Sequence, residues 1–297
     1  MDTVLTLVSA DNNILKHDQI DRLSAALSDK GAVVAPPSWL AQDKACDLSF
    51  QNLAPDAANQ IARAMLGTAS LDMLVQAQKN RRKKIFVADM DSTIVAGETL
   101  DDLAEFAGIG PQIAEITARA MNGEILFRDA LRERMAMLRG LPISYLEKTA
   151  NALVFNPGAE TLIRTLKANG VYTALVSGGF QFFTKRVADY LGFDFNKGNQ
   201  IEIINERFTG EVIDPIVTKA VKSETLEMLA KERGLDLFET MTVGDGANDL
   251  PMLQAAGLGV AYYAKPVVVA GARAQIAHTD LTTLLYYQGY TQSEFVN

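Results

Sequence analysis

The sequence predicts an α/β protein: a doubly wound parallel sheet carrying an inserted helical cap, with a small α+β domain in front of it. Three observations predict it. Four short apolar runs, IFVAD, YTALVS, TMTVGD and LGVAY, recur from Lys83 onward and alternate with long amphipathic stretches, as strands buried between two layers of helices do. The stretch from Leu100 to Leu146, between the first two runs, is helical in pattern and long enough to form a domain of its own. The full length of 297 residues suits two domains at roughly 150 residues each.

In the leading domain, placed at residues 1–75, TVLTLVS reads as a strand and His17 to Leu27 as a helix, with Ile20, Leu23 and Leu27 at helical spacing. Gly31 to Val34 and Asp47 to Leu53 supply further strands around the break at Pro36-Pro37, and Ala57 to Leu66 is a second helix. Arg81-Arg82-Lys83-Lys84 reads as a solvated lead-in to a buried strand rather than as an anion patch. The second domain covers residues 83–297, with the cap at about 97–155. Gly97, Gly108 and Gly123 are either cap hinges or terminators of cap helices.

Composition narrows the function. A net charge of -8 opposes nucleic-acid binding, which needs a basic face for phosphates. Cys46 is the only cysteine, so an intramolecular disulfide and an all-cysteine zinc site are excluded, which suits the cytoplasm. The opening residues lack a basic segment followed by a long apolar one, and no run approaches ~18 apolar residues, so neither secretion nor a membrane partner is expected.

Each apolar run ends in polar residues, and in an open parallel sheet those ends line one ligand crevice. The ends are Asp89-Met90-Asp91-Ser92-Thr93, Ser177-Gly178-Gly179 and Gly244-Asp245-Gly246-Ala247-Asn248-Asp249, with Lys222 between the last two. Any one of these aspartates could cap a helix or shape a turn. Four gathered at two of these strand ends would repel one another without a cation, and oxygen ligands unaccompanied by histidine or cysteine point to Mg2+.

The ordered set IFVADMDSTIV, LVSGG, a lone lysine and VGDGAND resembles the four motifs of the haloacid dehalogenase superfamily over roughly residues 83–285. That resemblance implies a Rossmann-like core and phosphoryl transfer. Asp89 would attack phosphorus to form an aspartyl-phosphate, and the Asp91 side chain would serve as acid and then base. Magnesium would be held by Asp89, the Asp91 carbonyl and Asp245, with Asp249 supporting it. Ser177 and Gly178, opening a helix, would bind phosphate oxygens, and Lys222 would place its charge on the phosphate and on Asp89. Asn248 would orient substrate, although it and Asp249 could instead cap the helix beginning near Leu250.

ETLDDLAEFAG, MNGEILFRDALRERM, VSGGF and VGDGANDLPML further resemble the branch that hydrolyses O-phospho-L-serine to serine and phosphate, the last step of serine biosynthesis. By that resemblance Glu98 would bind the substrate ammonium and Arg134 its carboxylate, with Arg132 the competing arginine, while Met121 and Phe127 would close the cap over the substrate. Another small phosphate ester, such as phosphothreonine, is the alternative. The βα opening of the leading domain is similar to ligand-sensing ACT-type domains, so regulation stands beside a structural or dimerisation role, and a homodimer is the expected assembly.

Overall fold

The computed structural model describes residues 3–10, 13–67, 69–121 and 124–297, without the side chain of Met121. The leading domain runs β1 (Thr3–Ser9), α1 (His17–Asp29), β2 (Val33–Val34), β3 (Ser38–Ala41), β4 (Ala45–Gln51), α2 (Pro55–Leu66) and β5 (Leu71–Ala77). Its antiparallel sheet has the order β2-β4-β1-β5, with β3 also on β4. This is a ferredoxin-like βαββαβ arrangement. Strands β3 and β5 had no counterpart in the sequence reading, and the domain's last strand runs to Ala77.

Antiparallel sheets often leave one face to water. This one does not: every residue of β1 is buried. Leu5, Leu7, Cys46, Leu48 and Phe50 face α1 and α2, where Ile20, Leu23, Leu27, Ala58 and Ala62 cover them. Val8, Ala45 and Leu74 instead join the core of the larger domain, beside Tyr286 and Tyr287. Polar ties reinforce the seam. Asp72 accepts hydrogen bonds from the N–H groups of Ala277 (2.8 Å), His278 (3.1 Å) and Thr279 (2.9 Å) and from the Thr279 hydroxyl (2.7 Å).

The larger domain continues with β6 (Ile85–Ala88), the cap helices α3 (Thr99–Phe106), α4 (Gly110–Met121), α5 (Phe127–Met137) and α6 (Ser144–Asn151), then α7 (Ala159–Ala168), β7 (Tyr172–Phe180), α8 (Gln181–Leu191), β8 (Phe195–Ile204) and β9 (Arg207–Ile213). It closes with α9 (Lys219–Glu232), β10 (Thr240–Gly244), α10 (Leu250–Ala255), β11 (Leu258–Tyr262), α11 (Pro266–Gly271), β12 (Ala274–Ile276) and α12 (Thr283–Tyr287). The strand order is β12-β11-β10-β6-β7-β8-β9, parallel except for the β8–β9 hairpin. The winding reverses at β6, so the carboxyl ends of β10, β6 and β7 bound the crevice where such sheets take ligands. The cap leaves and rejoins the sheet through a two-stranded neck, with an antiparallel bridge between Val95 and Phe155 and a hydrogen bond from Ala96 N to Val154 O (2.8 Å).

The basic run before β6 is a solvated lead-in only at Arg82 and Lys84, which are exposed. Arg81 is paired with Asp47 of the leading domain (2.7 Å), Arg82 lies over the Tyr290 ring (3.9 Å) and Lys83 is buried. The linker is held between two domains, so its cations are used where a surface strand would leave them in water.

Candidate active site

Asp89 sits immediately after β6, at the centre of the sheet, and its backbone N–H is tied to Val243 O on β10 (3.0 Å). Its Oδ1 lies 2.7 Å from Lys222 Nζ, which also reaches Asp249 Oδ1 at 2.6 Å. All three side chains are buried. Burial acts to lower the Lys222 ammonium, but Asp249 and Asp89 outweigh it and hold the group above the ordinary lysine value. Asp89 is pushed up, first by burial and then by the Asp249 carboxylate, against the pull of Lys222.

Carboxylate oxygens of Asp89, Asp245 and Asp249 all lie within 4.8 Å of one another. One ammonium cannot neutralise three carboxylates. Burial and Asp249 raise Asp245 to about 6, as expected where like charges crowd without a further cation. An all-oxygen donor set of this charge fits a hard divalent cation. Thr93 Oγ1 donates to Asp245 (3.1 Å), and Gly246 N–H donates to Asp249 Oδ2 (3.0 Å). Asp249 therefore directs its carboxylate at Lys222 and the 246 amide, with no side-chain capping bond to α10.

Asp91 keeps its side chain outside that cluster. Its Oδ1 accepts from the backbone N–H of Thr99 at the start of α3 (2.9 Å), and its Oδ2 accepts from Ser177 Oγ (3.1 Å). Burial raises its pKa, opposed by these donors and by Lys222. A carboxyl whose pKa is raised holds its proton more readily, which suits proton donation.

Ser177 and Gly178 do not open a helix as the sequence suggested. They lie in a bulge, where the β7–β8 pairing skips from Val176 to Phe180, and α8 begins only at Gln181. Asn199 holds the bulge, donating to Gly178 O (2.7 Å) and accepting from Val217 N–H (2.7 Å). A Cβ at Gly179 would stand 2.7 Å from Asp91 Oδ2, so the backbone approach requires glycine there.

From the cap side, Phe127 at the start of α5 reaches over Gly178, where an added Cβ would lie 3.3 Å from its ring tip. Glu98 accepts from Ser92 Oγ (2.8 Å). Burial and the nearby Asp91 raise its pKa to about 7. Burial lowers the Arg134 guanidinium, which is supported by Asp101, Glu98 and Asp91, so it faces the same acidic hollow. Arg132 points elsewhere, to Asp214 (2.9 Å). Asn248 is exposed and lies against Gly246. The Met121 side chain and Gly123 fall outside the described residues.

Two positioning residues escaped the sequence reading. Asn199 had no motif around it. Asn156 donates to Thr93 O (2.8 Å) and Val95 O (3.3 Å), bracing the loop after Asp91. Its signal was the Asn-Pro dipeptide, a turn mark that says nothing about its contacts.

Residues 86–254 match the family model of haloacid dehalogenase-like hydrolases. The chain is 48% identical over 199 residues to a phosphoserine phosphatase of Streptococcus thermophilus, covering 67% of this chain and 93% of that protein. It is 33% identical to a phosphoserine phosphatase of Saccharomyces cerevisiae over 99% of this chain and 98% of that one. Several further curated relatives are longer, and the chain spans about half to two thirds of their length. A solved structure described as a phospho-aspartyl intermediate analogue of phosphoserine phosphatase is 38% identical and superposes with a TM-score of 0.65, covering 69% of this chain and 99% of that one.

Proposed function

The chain belongs to the haloacid dehalogenase-like hydrolase family, and from that premise we propose that it is a phosphoserine phosphatase working through an aspartyl-phosphate on Asp89. The observation that carries the reading is the pairing of two unlike aspartates on one loop. Asp89 stands 2.7 Å from Lys222 inside the acidic cluster, whereas Asp91 is held apart by Thr99 and Ser177.

In the first step an Asp89 carboxylate oxygen attacks phosphorus, the P–O bond to serine breaks, and Asp91 gives its proton to the departing alkoxide. In the second, Asp91 takes a proton from water as that water attacks the phosphoenzyme, releasing phosphate and restoring Asp89. Lys222 and the N–H groups of the Ser177–Gly179 bulge balance charge on the transferring group. Magnesium, held by Asp89, Asp245 and Asp249 with the Asp91 carbonyl, would neutralise the phosphate's charge. Glu98 faces the substrate ammonium and Arg134 its carboxylate, and Phe127 shields the bulge from water.

The setting this activity implies is the last step of serine biosynthesis in the cytoplasm. The one cysteine, Cys46, is buried and its thiol is pushed up to about 12, first by burial and then by Asp47, as suits an inert packing residue. Among the described residues no helix is long and apolar enough to cross a membrane. The direct test is phosphate release from O-phospho-L-serine with magnesium and after its removal by a chelator. Release only with magnesium, and faster than from phosphothreonine or phosphoethanolamine, supports the reading; equal rates on all three would remove the assignment to phosphoserine.

A further inference from the structure

A second cleft, of about 310 Å³, opens on the side of the molecule opposite the active site. Its walls come from both domains: Gln76 and Ala77 end β5, Lys79, Asn80, Arg81 and Lys83 belong to the linker, and Phe238, Gly257 and Arg273 precede β10, β11 and β12. The cleft thus lies at the amino ends of the parallel strands, whereas Asp89 lies at their carboxyl ends. Four cations, Lys79, Arg81, Lys83 and Arg273, line it, and no acidic residue does. In a chain of net charge -8 such a concentration calls for a cause.

Arg81 is spent on Asp47. The buried Lys83 is not: its ammonium donates to Phe238 O (2.8 Å) and Asn80 O (3.2 Å), and it forms no ion pair among the described residues. An ammonium has three donors, so one remains for the cleft. Arg273 donates one N–H to Gly257 O (2.9 Å) and likewise has no carboxylate partner among the described residues. Burial and then Arg273 push the Lys83 ammonium below the ordinary lysine value, while Glu239, the acid on its side, is already bound to Lys84 (2.6 Å). Two like charges line the same cleft, each with N–H donors left over from these bonds. Burying the Lys83 ammonium without a counter-charge is costly, and a ligand of opposite sign removes the cost. The size and the position at a domain seam suit a small molecule.

We propose that the cleft lined by Lys79, Lys83 and Arg273 binds a small multivalent anion, a phosphate or a polycarboxylate, which ties the linker to the catalytic domain. Full-length protein is titrated separately with inorganic phosphate and with citrate, and amide hydrogen exchange is followed at residues 79–84 and 271–275. Phosphate at the active site lies at the other sheet edge, so the local readout separates the two. At least one anion should saturably protect both segments. Arg273→Gln and Lys79→Gln, both at exposed positions, should each weaken that protection about ten-fold, the usual worth of a charge-assisted hydrogen bond. Protection by phosphate alone assigns the site to phosphoryl groups, and protection by citrate to carboxylates. No protection by either anion, or equal affinity in wild type and both variants, overturns the proposal.

Discussion

Both domains bury aspartates, and they treat them in opposite ways. In the leading domain Asp72 is matched by three backbone N–H groups and a hydroxyl, and Asp47 by Arg81 and Thr6. Each carboxylate there has its own partners. In the crevice of the larger domain Asp89, Asp245 and Asp249 crowd one another, with a single lysine against three charges. A satisfied buried charge holds structure together; an unsatisfied set is held in place by the fold around it and is free to bind something else. Sheet type supplies the difference. Parallel strands deliver all their carboxyl ends to one edge, whereas antiparallel strands scatter theirs over two.

The comparison predicts its own failure points. Asp89→Asn should lower kcat by roughly 10⁴-fold or more and abolish acid-stable labelling by phosphoserine, the scale expected on losing a nucleophile. Because it also removes one of the crowding charges, the metal-free protein should keep its Tm. A labelled Asp89→Asn protein, or one that unfolds in the absence of metal, would place Asp89 with the structural aspartates.

Asp91→Asn should retain metal binding and lose about 10²–10⁴-fold in kcat on phosphoserine, the range of general acid–base help. The deficit should shrink on p-nitrophenyl phosphate, whose leaving group needs no proton. Equal deficits would mean that Asp91, held by Thr99 and Ser177, is bracing the loop as Asp72 braces the seam.

Arg134→Ala should reduce kcat/KM for phosphoserine by about 2–5 kcal/mol, the cost of truncating one partner of a buried charge pair, with a much smaller loss on phosphoethanolamine, which has no carboxylate. The exposed Arg132, bound to Asp214, should tolerate the same change. Equal losses on both substrates would show that Arg134 supports the cap.

On the structural side, Asp72→Asn should cost about 1–3 kcal/mol in urea unfolding, because an amide nitrogen would face backbone donors in a buried site. Activity per folded molecule should remain. A fall in kcat without a fall in stability would instead link the seam to the catalytic loop.

The smallest effect concerns pH. With its pKa raised to about 7, Glu98 is ionised at pH 8 and mostly protonated at pH 6, and only the ionised form attracts an ammonium. KM for phosphoserine should therefore rise as pH falls through 7, by up to about ten-fold. The rise should be absent in Glu98→Gln and with 3-phospholactate, which lacks the ammonium. Parallel profiles for the two substrates would locate the titration elsewhere.

Much of the larger domain was legible because its signals are local. IFVAD and TMTVGD are continuous apolar runs ending in acids, and a strand buried on both faces leaves that mark wherever it occurs. The β8–β9 hairpin was less visible, since β8 carries NKGNQ between Phe195 and Ile201, and its turn at Asn205-Glu206 has positive φ without glycine. Strand β5 was missed because LDMLVQA places Asp72 and Gln76 in a buried strand, a pattern that makes sense only once the amides of residues 277–279 and the Tyr287 carbonyl are brought to them.

By itself the sequence determined the parallel sheet, the order of its strand-end motifs and the chemistry those residue types allow, because periodicity and residue type are properties of short segments. Tertiary structure decided which charges meet. Only the fold places Lys222 between Asp89 and Asp249, turns Asp91 away toward Ser177, and sends Arg132 and Arg134 in different directions. It also drew Arg81 and Lys83 out of water into a seam. Electrostatic energy depends on distance and burial, and neither is written along a chain whose interacting residues stand tens of positions or more apart.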